Sequence, residues 1–203
     1  MKPRVVLLTS VLLSVLTSTS LFAGDSFEKM LKMSKKQDTT FDFDALRREY
    51  ELSKKYNPSY FLLDTSWDAM YDAIHDENPK RALKFAAMIF KKNAIDIQAH
   101  YAAALAYQMK GDDKKASYHW YMADGLLRSI AMSGNGKTDS TAFKVTTIKE
   151  EYAFLEWLGL EVLSQAGGGD MVHTLYDYMT AVSQETGDTL TLIFDVSATI
   201  RDE

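Results

Sequence analysis

Hydrophobic positions along this chain follow two periods. From about Asp44 to Met132 apolar residues recur at spacings of three and four, as in helices that bury one face. Beyond the interruption Ser133-Gly134-Asn135-Gly136-Lys137, several stretches alternate apolar with polar residues, as strands do. The most regular helical stretch runs from Ile97 to Ile130. Ala99, Ala103 and Ala106 form a packing face, with His100, Ala104 and Tyr107 beside them. Gly111-Asp112 breaks the period: Gly can end one helix in the left-handed conformation and Asp can cap the next. The following helix carries Ala116, Trp120, Ala123 and Leu127 on one face.

Other helices are expected over Asp25–Lys36 (Phe27, Met30 and Leu31 on one side) and over Asp44–Lys55 (Leu46, Tyr50 and Leu52 inward). A further helix is expected after a cap at Asp64 or Thr65, carrying Trp67, Met70, Tyr71 and Ile74. Pro79 opens another, which carries Ala82, Phe85, Ala86 and Ile89 and closes at Asn93. In the second regime Phe143, Val145 and Thr147 suggest a strand, and Glu150–Leu158 a helix with Tyr152, Leu155 and Leu158 inward, capped by Gly159. Leu160–Leu163, Thr174–Val182 and Leu190–Ala198 read as strands. Gly167-Gly168-Gly169-Asp170 reads as a turn or flexible loop, and Thr186-Gly187-Asp188 as a turn. The expected fold is α+β: antiparallel helical hairpins capped by a small, mostly antiparallel carboxy-terminal sheet with one helix. The expected division is a signal peptide over 1–23, an extension over 24–44, a helical region over 45–133 and a small α+β region over 134–203.

The helical region resembles tetratricopeptide repeats, helix-turn-helix units of about 34 residues. Counted from Ile97, the family's small eighth position is Ala104, its Tyr at eleven is Tyr107, and its turn is Gly111-Asp112. Its Ala at twenty is Ala116, its aromatic at twenty-four is Trp120 and its Ala at twenty-seven is Ala123. Two positions depart: His100 stands where Trp is usual, and Arg128 where Pro is. A weaker copy lies one unit earlier, with Ala73, Ala82 and Ala86 in register and Met70 and Glu77 out of pattern.

Residues 1–23 form a separate object. Lys2 and Arg4 precede apolar runs at Val5–Leu8 and Val11–Leu16, and Leu21-Phe22-Ala23 ends on a small residue. This reads as a secretory signal peptide cleaved after Ala23. The apolar stretch is interrupted by Thr9, Ser10, Ser14 and Thr17–Ser20, whereas a membrane span needs about 20 apolar residues. No stable span is therefore expected once the signal is cleaved. The chain has no Cys, which excludes disulfides, thiolate metal sites and thiol catalysis. An exported chain without disulfides must rely on its core, which suits the periplasm or the bacterial exterior. Losing Lys2 and Arg4 takes the formal charge from −5 to −7, which argues against a nucleic-acid partner.

Few residues offer chemistry. Ser133–Thr138 looks like the end of a phosphate-binding loop, with Asn135 and Lys137 as candidate ligand contacts. However, Ala131 replaces the first glycine, and a helix precedes the loop where the mechanism needs a strand. His100 and His119 lie on the two helices of one hairpin, so a His/Asp metal site is conceivable, yet no H-E-x-x-H spacing supports it. Glu150-Glu151 opens a helix, where carboxylates interact well with the dipole; Glu150 also stands as a candidate acid or base. Trp120 is a candidate recognition aromatic. No cofactor is implied and no metal site is assigned.

The second half resembles the family known as domain of unknown function 4919, common among exported proteins of Bacteroidota. The matching stretches are H-Y-A-A-A-L-A-Y, G-D-D-K-K-A, L-L-R-S-I-A-M-S-G-N-G-K, T-A-F-K-V-T-T-I-K-E-E-Y-A-F-L-E-W-L-G-L and L-T-L-I-F-D-V, over about residues 45–200. That family often shows Tyr-Phe-Asn where this chain has Ile193-Phe194-Asp195. The resemblance implies an exported α+β protein and supplies no catalytic residues. The expected function is a non-catalytic protein- or peptide-binding module. The alternative is an exported hydrolase, metal-dependent or not, using His100, His119 and Glu150 between the hairpin and the sheet.

Overall fold

A computed structural model describes residues 19–61, 64–170 and 174–200. The expected signal segment lies outside the described residues as far as residue 18, and His173 also lies outside them. The described chain is an amino-terminal block of helices followed by a four-stranded sheet with one helix across it.

The helices are α1 (Thr19–Ser34), α2 (Phe43–Leu52), α3 (Ser66–His75), α4 (Pro79–Lys92), α5 (Ile97–Met109) and α6 (Asp113–Met132). Short polar caps set their starts. Asp42, Asn78, Asp96 and Asp112 each accept a hydrogen bond from a backbone N–H in the first turn of the helix that follows. Gly111, at φ +70°, makes the left-handed reversal between α5 and α6. The hairpins α3–α4 and α5–α6 pack in succession, because the alanines at their contacts let the backbones approach: Ala73, Ala82, Ala99, Ala103 and Ala106 are all buried.

The sheet contains β1 (Phe143–Lys144), β2 (Leu160–Gly169), β3 (Leu175–Ser183) and β4 (Thr189–Asp195), and α7 (Ile148–Trp157) joins β1 to β2. The order is β1-β4-β3-β2, with β1 parallel to β4 and the other pairs antiparallel. Asp177, Met179 and Ala181 of β3 face the core, while Tyr176, Tyr178 and Thr180 are on the opposite face. One apolar cluster runs through both halves, from Phe27, Leu46 and Tyr50 through Leu126 and Ile130 to Phe154, Met179 and Phe194.

Several expectations are corrected. Gly167–Gly169 is not a loop but the end of β2, paired with Asp177, Tyr176 and Leu175. The ring of Tyr178 fills the space above Gly168, where a Cβ would lie 2.7 Å from it. The first strand stops at Lys144, short of Thr147, because the Glu150 carboxylate takes the Thr146 N–H and hydroxyl at 2.8 and 2.9 Å. The last strand stops at Asp195, whose Oδ1 accepts from the Ser197 backbone and hydroxyl and turns the chain. Leu52 is exposed rather than inward. On α7, Tyr152 and Leu158 face outward with Trp157, and the buried face instead holds Glu150, Glu151, Phe154 and Leu155.

Candidate functional site

Between α2, α6, β1 and the end of β4 lies a cleft of about 1190 Å³. Its wall is aromatic. Phe41 and Phe43 meet edge to face at 4.9 Å, and Phe43 meets Tyr121 at 5.1 Å. Phe43 rests directly on α6 because Gly125 has no side chain there; a Cβ would fall 2.1 Å from the ring. The Tyr121 hydroxyl donates to the Asp38 carbonyl at 2.8 Å and anchors the segment before α2.

The floor of the cleft is Arg47, buried although charged. Its Nη2 donates to Glu150 Oε2 at 2.8 Å and to the Lys144 carbonyl at 2.6 Å; Nε donates to Glu150 Oε1 at 3.4 Å and Nη1 to Ser129 Oγ at 3.5 Å. The fork-to-fork pair suits a planar guanidinium, and it ties α2, α6, β1 and α7 together. The rim carries both signs. Arg48–Asp44 and Arg128–Asp124 are exposed pairs one helical turn apart. Lys144 and Asp195 are register partners on β1 and β4, yet among the described residues Lys144 is in no ion pair.

His100 and His119 do meet. Their Nδ1 atoms are 2.9 Å apart, and His100 Nε2 is 3.1 Å from the Ala94 carbonyl. A carbonyl only accepts, so His100 carries its proton on Nε2 and its Nδ1 accepts from His119 Nδ1–H. His119 is stacked between Phe90 and Tyr107 at 5.6 and 5.5 Å. Burial lowers both rings, His100 to about 3, aided by His119, and His119 to about 4. Both are neutral near pH 7. Among the described residues no group of three or more His, Cys, Asp or Glu is placed to hold a metal ion.

Glu150 does not join the histidine pair. Its carboxylate accepts two hydrogen bonds from Arg47 and two from Thr146. Its neighbour Glu151 is fully buried, and neither carboxyl oxygen has a partner at hydrogen-bond geometry. Burial first, then the nearby Asp177 and Glu150 carboxyls, raise it to about 9.

The remaining sequence candidates stand apart. Trp120 packs edge-on against Tyr101 at 4.9 Å. Asn135 and Lys137 are exposed, and Asn135 Oδ1 accepts from the Lys137 backbone at 3.0 Å. Their loop is pinned by Gly136, which takes φ +65° and accepts at its carbonyl from the Ile193 N–H at 2.9 Å. None of the six residues singled out in the sequence lines the cleft. The sequence reading missed Arg47, whose one visible signal was a charge on the inward side of α2, between Leu46 and Tyr50.

Comparisons with curated proteins and with solved structures find no match. A family model does match, over residues 22–203, so it takes in the cleft, the histidine pair and the sheet alike. The chain therefore belongs to the family described as a domain of unknown function (DUF4919).

Proposed function

We propose that the chain is a non-catalytic module that binds an extended peptide, or a segment of a partner protein, in the cleft between α2, α6 and the sheet. The cleft itself carries this reading. At about 1190 Å³ it exceeds the roughly 300–1,000 Å³ of most small-molecule sites. Its aromatic wall suits an apolar side chain, and its rim offers separate cations and anions to a peptide's polar groups. Lys144 supplies a cation that no internal carboxylate occupies. In this reading His100, His119, Trp120 and Glu150 serve packing.

The test is a random-peptide display selection on the purified chain, followed by anisotropy measurements with the enriched peptides. Binding in the micromolar range, weakened five-fold or more by Phe41→Ala or Lys144→Glu, is the expected result. Peptides that bind wild type and both variants equally would remove the cleft from the proposal.

The alternative, an exported hydrolase, rests on the His100–His119 contact. That pair leaves one nitrogen lone pair open, on His119 Nε2, and Glu150 is fully engaged elsewhere. Metal analysis of the untagged protein separates the two readings: stoichiometric zinc lost in His119→Phe would favour the hydrolase. Export itself is part of the proposal, supported by the pattern of residues 1–23 and the absence of Cys. Secreted protein should begin at Gly24 by intact mass; a full-length intracellular product would contradict it. Among the described residues no helix is long and apolar enough to cross a membrane.

A further inference from the structure

The net charge conceals a division along the chain. From Glu150 to Ile200 there is no Lys or Arg, and the charged residues are all Asp or Glu. Glu150, Glu151 and Asp177 are buried. Glu156 and Glu161 are exposed, and among the described residues neither is in an ion pair. Both flank one feature of the sheet, its long free edge.

The strand order leaves β1 and β2 at the edges. β1 has only two residues, while β2 has ten. A bulge interrupts β2 between Val162 and Ser164, and from Ser164 to Gly169 it keeps unbroken register with Thr180 to Leu175. An edge strand points every second N–H and C=O outward, and native edges are commonly protected by Lys, Pro or a covering element. This run has no Lys, Arg or Pro and consists mainly of Ser, Ala and Gly, so another backbone can approach closely. Beside it stands the exposed Tyr152 of α7, whose hydroxyl donates to Gln165 Oε1 at 2.8 Å. Glu156 lies one turn further along the same side of α7.

The charge identifies the occupant. Glu156 and Glu161 leave the Leu160 end of this edge acidic, and among the described residues neither has a cation of its own. A partner strand bearing cations complements that charge. We propose that the β2 edge accepts an extended basic segment of another protein as a fifth strand, its Lys or Arg side chains on the outer face with Glu161 and its alternate apolar residues on the α7 face against Tyr152, while Glu156 adds to the acidic field at that end. Strand addition of this kind draws affinity from main-chain hydrogen bonds and selectivity from side chains. The surface is distinct from the cleft, which lies at the β1 side of the sheet.

The experiment uses the full chain and a labelled ten-residue peptide alternating Lys with Val. Saturable binding is expected. It should weaken ten-fold or more in Glu156→Lys/Glu161→Lys, and also when alternate peptide residues are N-methylated, which removes the donors of a strand. Lys144→Glu, in the cleft, should leave it unchanged. Equal binding of the N-methylated peptide would reduce the effect to charge alone and overturn the proposal. Concentration-dependent dimerisation lost in Gly167→Pro would overturn it in favour of a second copy. Loss of binding in Lys144→Glu would place the peptide in the cleft instead.

Discussion

At the scale of single residues, the buried charges decide most. Arg47 and Glu150 satisfy each other, so removing one leaves the other ionised and buried. Arg47→Met should cost about 3–5 kcal/mol in denaturant unfolding, and Arg47→Met/Glu150→Leu should recover much of that loss. Four other groups set the dependence on pH. Folded Glu151 keeps, up to about pH 9, a proton that the unfolded chain releases near 4.5, so its stabilising effect is lost as pH rises through that window. Asp96, raised by burial, acts in the same direction. His100 and His119 act oppositely: below about 6.5 the unfolded chain takes up protons that the folded rings refuse down to about 3 and about 4, respectively. Stability should therefore peak between about pH 6 and 7. Urea midpoints measured from pH 4 to 9 check this. Glu151→Gln should flatten the alkaline limb and His119→Phe should soften the acid one. The sequence showed Glu150-Glu151 as acids at a helix start, with Glu150 a candidate acid or base; the fold turned both inward.

At the scale of elements, local chemistry wrote most boundaries. Asp112 was readable as a cap, and Gly111 as a reversal, because those roles need only neighbouring backbone. The strands were less readable. The three glycines of β2 are strand because Tyr178, on the next strand, covers Gly168, and no local pattern announces that. Gly125 is a similar case on α6. Gly125→Ala should push Phe43 off the helix, cost about 1–3 kcal/mol and weaken peptide binding in the cleft, with unfolding and anisotropy as the measurements.

At the scale of the whole molecule, one apolar cluster joins Phe27 and Leu46 of the amino-terminal helices to Phe154 and Phe194 of the sheet region. The expected boundary near residue 133 therefore runs through a shared core. Unfolding should be one cooperative transition, with far-UV circular dichroism coinciding with fluorescence from Trp67, Trp120 and Trp157, which sample both halves. Two separated transitions would show that the halves are independent. The cleft also belongs to this scale, since α2, α6, β1 and β4 each supply a side of it, and α2 and β4 lie far in sequence from the α6–β1 segment between them.

The sequence alone determined the class of fold, the helical hairpins, the antiparallel character of the sheet, the absence of thiol chemistry and the acidic carboxy-terminal region. Each of these follows from periodicity, composition or a local cap, over which neighbouring residues have control. Tertiary structure decided which carboxylates are buried, that His100 touches His119 while Glu150 turns to Arg47, where the cleft opens and which strand is left at the edge. Those outcomes depend on contacts between residues far apart in the chain, such as Arg47 with Glu150 and Gly168 with Tyr178, and no local period encodes such contacts.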